Sequence, residues 1–192
     1  MTSFLTKDEI KAIGFKNVGN DVFISRKASF YSPEKISIGD HVRIDDFCIL
    51  SGNITLGNYI HIAAYSAIFG GDEGVEISDF CNISSRISIY ALSDDYSGES
   101  MTSPMIPDEY KRVEQKKVVL EKHVLLGSGS IVLPGAYLSE GASFGALSLV
   151  KGKIEPWSIN AGIPCKKIKD RSKKILELET KFKNNHESEK NA

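Results

Sequence analysis

Aliphatic side chains recur at every sixth position along most of the chain, in a phase that survives two interruptions. The main column is Ile38, Ile44, Leu50, Leu56, Ile62 and Ile68, then Ile77, Ile83 and Ile89, then Leu120, Leu126, Val132, Leu138, Phe144 and Val150. A second column of small or aliphatic residues stands two positions earlier. It runs through Ile36, Val42, Cys48, Ile54, Ile60 and Ser66, then Val75, Cys81 and Ile87, then Val118, Val124, Ser130, Ala136, Ala142 and Ser148. No helix has that period. Residues i and i+2 of an extended segment point to one side, so each unit reads as a short strand with two inward side chains and a turn that restarts the pattern. Such a hexapeptide repeat predicts a parallel β-helix, an all-β fold in which three units make one coil and each inward column stacks on the next. Period alone does not choose its hand.

The coils fall at residues 36–53, 54–71, 75–92, 118–135 and 136–153. Both breaks, at 72–74 and 93–117, follow a whole number of coils, so both excursions are expected to leave the prism at one corner. Three residues make a bulge. The longer break has no strand pattern and points to a functional loop, the plainer alternative being an arm used only for subunit contact. Thr6 with Glu9 makes a capping-box pattern ahead of Ile10 and Ile13, predicting a short N-terminal helix that covers the first coil. After Val150 the repeat decays through Ile154, Trp157 and Ile159. A Lys-, Glu- and Leu-rich stretch from about Asp170 to Phe182 then predicts an amphipathic helix, with a frayed end at 184–192. The expected organisation is one domain: a cap at 1–35, coils at 36–92 and 118–153, a protruding loop at 93–117, and a tail with a helix at 154–192.

Composition narrows the class. A chain of 192 residues with 41% hydrophobic content can build one sizeable core. Its 24 basic and 25 acidic residues leave a net charge of -1, which argues against nucleic acid or an anionic membrane as partner. Met1 to Phe15 holds acidic residues and no long apolar run, so neither a secretory signal nor a membrane span is expected, and the protein reads as cytoplasmic. Cys48 and Cys81 take inward positions and Cys165 lies in the C-terminal segment. That odd count fits reduced thiols rather than disulfides or a zinc knuckle, and no metal is expected. Among the four histidines, His186 falls in the expected frayed end, and His41 shares a coil position with Tyr59, Phe80 and His123 at one corner. His61 stands outward beside Asn82 of the next coil.

The ladder, the excursion after the third coil, the stretch Gly127-Ser128-Gly129-Ser130 through Leu133-Pro134-Gly135 and the closing segment Trp157 to Ile168 together resemble the hexapeptide-repeat acyltransferases. Within that family the chain is most similar to the sugar acetyltransferases of surface-polysaccharide pathways. Galactoside O-acetyltransferases and the N-acyltransferases of nucleotide-linked amino sugars belong to the same company, and the likeness runs from about Ile24 to Arg171. The resemblance implies a left-handed parallel β-helix, although the general rule for parallel crossovers favours the right-handed form. It also implies a homotrimer, with acetyl-CoA lying along the prism in a site between neighbouring subunits. The pantetheine arm is expected against the backbone of Gly127, Ser128, Gly145 and Ala146, where small residues permit close approach. The nucleotide end is expected near Lys151, Gly162, Pro164, Lys166, Lys167 and Arg171, whose cations suit phosphate.

Catalysis is where the chain departs from the resemblance. Galactoside-type members carry a Thr-x-x-His-Pro type segment at the start of the excursion, and this chain reads Tyr90-Ala91-Leu92-Ser93-Asp94-Asp95-Tyr96 there. A carboxylate is a poor base toward a sugar hydroxyl but can orient or deprotonate an ammonium, which favours an amine acceptor. The catalytic candidates are Asp94, Asp95, His61 and His123, the last lying where relatives hold the reactive thioester. Asp94 and His123 leave different corners and can meet only across a subunit boundary. Asn82, Arg86 and Tyr96 are the candidates for holding the acceptor. The expected mechanism is direct attack on the thioester, with a backbone amide near Ser128 or Ser130 steadying the oxyanion. The predicted activity is acetyl-CoA-dependent acylation of a nucleotide-linked amino sugar. The alternatives are O-acetylation of a galactoside or polysaccharide hydroxyl, and a non-catalytic scaffold. Gamma-class carbonic anhydrases share the coil but need clustered histidines, and no two here lie within ten residues of each other.

Overall fold

In the computed structural model, which describes residues 3–190, three parallel strand stacks wind into a prism. Face 1 stacks Val18, Ile38, Leu56, Ile77, Leu120, Leu138 and Ile154 in register. Face 2 stacks Ile24, Ile44, Ile62, Ile83, Leu126 and Phe144, ending at Asn160. Face 3 stacks Phe30, Leu50, Ile68, Ile89, Val132 and Val150. The hexapeptide columns are therefore the interior, and from Ile38 to Val150 every member of the main column is buried. Burying each such side chain favours folding by about 1.5–3 kcal/mol, and only stacking with the coils above and below achieves it.

The solenoid begins one coil earlier than the expected boundary at 36. Asn17–Val18, Phe23–Ile24 and Ser29–Tyr31 already pair with the following coil. A short 3-10 turn at Pro33–Lys35 lengthens this coil: Asn17 faces Ser37, 20 positions on, whereas Ile36 faces Ile54, 18 positions on. Those two extra residues shift the phase and hide the first coil from a strict count of six. The cap proper is α1, Lys7–Ile13, where the Thr6 hydroxyl accepts from the Glu9 amide and the Glu9 carboxylate accepts from the Thr6 amide. At the other end the prism runs on to Gly162, and Cys165–Asp170 folds back antiparallel on Ser158–Gly162. The second helix, α2, spans Lys174–Lys190 and so takes in most of the stretch expected to fray, while residues 191 and 192 lie outside the described chain. Among the described residues, no helix is long and apolar enough to cross a membrane.

Each corner has its own character. Between faces 1 and 2, His41, Tyr59, Phe80, His123 and Trp157 all take positive φ, between 51° and 61°. Their rings form a ladder, with centroids 4.5 Å apart for His41 and Tyr59, 5.0 Å for Tyr59 and Phe80, and 5.3 Å for Phe80 and His123. Gly141 occupies the rung where a ring is missing. A Cβ there would lie 2.5 Å from the Trp157 ring, so glycine lets the indole slide beneath His123, with centroids 6.2 Å apart. The corner between faces 3 and 1 releases every excursion, as expected for the two breaks. The segment 93–117 is not structureless: Leu92–Asp94 pairs antiparallel with Val113–Gln115 as the stem of a hairpin. Gln115 ties that stem to the smaller bulge by accepting from the Asp72 amide at 2.8 Å.

Candidate active site

The third edge of the prism, between faces 2 and 3, is a stripe of small residues. Its first column runs Ala63, Ser84, Gly127, Gly145 and Ala161, and the second Ala64, Ser85, Ser128, Ala146 and Gly162, placed by amide bonds such as Ser84 to Leu126 and Gly145 to Asn160. A Cβ on Gly127 would stand 2.6 Å from the Ala146 nitrogen, so coils approach here as closely as backbone allows. Tyr65, Arg86 and Leu147 project on the far side of the stripe, all exposed. The sequence-predicted Gly127, Ser128, Gly145, Ala146 and Gly162 are thus one continuous shelf, with Pro164 in the turn that follows. Ser84 and Ser85 belong to the same shelf and were not singled out from sequence; only the coil register reveals them.

The cations divided differently. Lys166 is exposed, faces Ala161 across the terminal hairpin and makes no ion pair among the described residues. Lys167 bonds Asp170 at 2.8 Å and Glu155 at 2.9 Å, and those two carboxylates hold its ammonium well above the usual lysine range. Arg171 donates to the carbonyls of His123, at 2.8 Å, and Gly141, at 3.0 Å. Its partial burial lowers the pKa of a guanidinium committed to the backbone. Lys151 stands one residue past Val150, across face 3 from the shelf. Of the expected phosphate ligands only Lys166 is both free and beside the stripe.

Face 2 borders the shelf and carries an outward column Arg43, His61, Asn82, Leu125 and Ser143. His61 and Asn82 are neighbours, as expected. His61 Nε2 lies 2.8 Å from Asp45 Oδ2, and the other oxygen of Asp45 accepts from Arg43 Nε at 2.7 Å. Burial pushes the Asp45 carboxyl up, but the hydrogen bonds from His61 and Arg43 outweigh it and keep the group below the ordinary aspartate value. Asp45 had no signal in the sequence beyond its coil position.

His123 lines the same groove as His61 and Asn82 but is withdrawn into its wall. Its side chain is 2% exposed, stacked between Phe80 and Trp157, and its Nε2 meets Glu179 Oε2 of α2 at 2.7 Å. The docking of α2 across face 2, over Tyr59 and Phe80, leaves no periodic trace in the sequence. The hairpin carries the remaining candidates. Asp95 accepts from the Ser97 amide and the Ser100 hydroxyl, both at 2.8 Å, and the bonds to Ser97 lead in pulling its carboxyl down to about 2. That residue builds the loop. Asp94 faces Val113 on the stem, is exposed, and has a carboxylate with no partner among the described residues. Tyr96 is 93% exposed.

Asp94 and the shelf lie on opposite borders of face 3. The outward column of that face is Ile49, Ala67, Ser88, Ile131 and Leu149, largely apolar. Within one chain the candidates therefore fall into two separate groups, the shelf with His61, Asn82 and Arg86, and the hairpin with Asp94 and Tyr96.

No family model matches the chain. Among curated proteins it is 52% identical to the dTDP-4-amino-4,6-dideoxy-D-glucose acyltransferase of Escherichia coli, over 94% of this chain and 95% of that one. It is 30% identical to the putative lipopolysaccharide biosynthesis O-acetyl transferase WbbJ of E. coli K12, over 77% and 74%. Among solved structures it matches AntD, an N-acyltransferase from Bacillus cereus, with a TM-score of 0.94 and 51% identity over 96% of this chain and 100% of that one. AntD was solved as a D94A variant with dTDP and coenzyme A, and as an S84A variant with dTDP-4-amino-4,6-dideoxyglucose and coenzyme A. With these matches the hand of the coil is the left-handed one, against the rule for ordinary crossovers.

Proposed function

The chain belongs to the hexapeptide-repeat sugar acyltransferases, and from that premise we propose that it moves an acyl group from coenzyme A to the amine of a dTDP-linked 4-amino-4,6-dideoxy sugar. The observation that carries the reading is the near full-length 52% identity with an acyltransferase of that substrate. A second feature supports nitrogen over oxygen: the excursion offers the carboxylate of Asp94, without a partner among the described residues, where galactoside-type members have a histidine. This chain also has serine at 84 and aspartate at 94, the residue types replaced in the AntD variants.

The shelf from Ser84 to Gly162 holds the pantetheine arm by backbone contact, and Lys166 meets a phosphate of the nucleotide end. Asn82 and Arg86 orient the acceptor from one chain. Asp94 and Tyr96 reach it from the hairpin of a neighbouring copy, so the working unit is a homotrimer whose apolar face 3 columns are covered by neighbours. In the reaction the acceptor ammonium loses a proton to His61 or Asp94, and its nitrogen attacks the thioester carbon. An amide near Ser128 carries the oxyanion, the C–S bond breaks, and the departing thiolate takes the second nitrogen proton. The reaction belongs in the cytoplasm, an assignment supported by the free thiols of Cys48, Cys81 and Cys165. The product suits surface-polysaccharide assembly, the role that WbbJ's name carries.

The test is release of free coenzyme A by the purified protein from acetyl-CoA, with dTDP-4-amino-4,6-dideoxy-D-glucose or a simple galactoside as acceptor. Turnover with the amino sugar alone is expected. Turnover with the galactoside alone overturns the choice of nitrogen.

A further inference from the structure

We infer that Asp45 is a positioning residue that fixes His61 in the one tautomer able to accept a proton from the acceptor, a role that rests on the function proposed above. Asp45 closes the face 2 strand of one coil, and its amide donates to the Ile62 carbonyl at 3.0 Å, directly beside the His61 backbone. Both of its oxygens are engaged, one by Arg43 Nε at 2.7 Å and one by His61 Nε2 at 2.8 Å. An ionised carboxylate can only accept hydrogen bonds. The hydrogen of a neutral His61 ring must therefore sit on Nε2, which leaves the lone pair on Nδ1.

Nδ1 has no partner among the described residues, and the ring is part-exposed, with Asn82 one coil below it. The charged groups around the ring are few. Arg43 and Asp45 stand in the coil above. On α2, which forms the other wall of the groove that His61 shares with Tyr59, Asn82 and His123, the lining carboxylate is Glu179. That group is already bound by Lys122, His123 and Lys183. Asp45 is thus the only anion in hydrogen-bond contact with His61 among the described residues.

The proton account closes. The acceptor ammonium gives one proton to Nδ1, and the imidazolium so formed is held by Asp45 on its other nitrogen. The freed lone pair makes the C–N bond as the C–S bond breaks, the second proton passes to the thiolate, and His61 returns its proton to water. Amide, free coenzyme A and one solvent proton are the products.

Asp45→Asn tests the role, because an amide can present either its oxygen or its NH2 to the ring and no longer dictates the tautomer. With acetyl-CoA and dTDP-4-amino-4,6-dideoxy-D-glucose, kcat is expected to fall about 10- to 100-fold. The KM for acetyl-CoA should stay within about twofold, and the acid limb of the kcat/KM profile should move to lower pH. Independently of any substrate, nitrogen-15 spectra of the wild-type His61 ring above neutral pH should show the Nε2–H form, and the bias should weaken in Asp45→Asn. A wild-type ring in the Nδ1–H form overturns the inference, as does an Asp45→Asn variant with unchanged kcat and pH profile. The ring spectra decide the dyad without turnover, whereas a wild-type protein that acylates no amino sugar removes the proposed function instead.

Discussion

Glu179 of the C-terminal helix and His123 of the aromatic corner meet at 2.7 Å, and this contact bolts α2 across face 2. Lys122 and Lys183 add 2.9 Å and 2.6 Å contacts to the same carboxylate. Burial raises the Glu179 pKa, but the bonds from Lys122, Lys183 and His123 outweigh it and bring the carboxyl down to about 2. A carboxylate depressed on folding stabilises above its unfolded pKa, near 4.5, and that stabilisation disappears as pH falls toward 2. Glu179→Gln is expected to lower the melting temperature at pH 7 by about 2–4 °C and to speed amide exchange in α2. Below pH 2 the variant and the wild type should melt together. A difference that persists there would show that the anchor is not ionic.

Ala146 is an exposed member of the shelf, so a large side chain there fills the stripe without entering the core. For Ala146→Trp, the dissociation constant of coenzyme A measured by calorimetry should rise at least about tenfold, with stability changed by no more than about 0.5 kcal/mol. Unchanged affinity would move the pantetheine arm off this edge.

Asp94 and Asp95 should separate cleanly despite being adjacent. Asp94→Asn is expected to lower kcat toward the amino sugar about 100-fold with little change in the KM for acetyl-CoA. Asp95→Asn should loosen the hairpin by weakening the Ser97 and Ser100 bonds, raising the acceptor KM instead. Because Asp95 is held down to about 2, its loop-ordering contribution is present above about pH 4 and lost below, which amide exchange in residues 95–100 can follow. Equal kinetic effects of the two changes would contradict this division.

Ile131 lies in the outward column of face 3 and is 39% exposed in the single chain. Ile131→Asp should convert a trimer, seen by sedimentation, into monomers, and abolish acyl transfer while leaving the β-sheet circular dichroism intact. A monomeric wild type with full activity would remove the shared site.

What the sequence made legible followed from periodicity. Ile38 to Val150 at intervals of six fixes three faces, an interior and the corner at which the chain departs, because one stacking geometry satisfies all of those side chains at once. The coil from Asn17 to Tyr31 was missed because the two extra residues before Ile36 put it out of phase. The shelf was readable in part, since Gly127 and Gly145 are demanded by backbone approach. The contacts of His123 and Asp45 were not legible for a common reason: each is defined by a partner that no local pattern announces, Glu179 on a distant helix and His61 sixteen positions further along the chain.

The insertions within the coil leave at the corner between faces 3 and 1: the lengthened first coil, the three-residue bulge and the hairpin. Chain can be spliced in or cut out there without re-phasing a single inward isoleucine, since the strand that follows re-enters on the same lattice. A lineage can therefore exchange the arm between Leu92 and Val118 for another in one genetic step while the rest of the prism stays as it is.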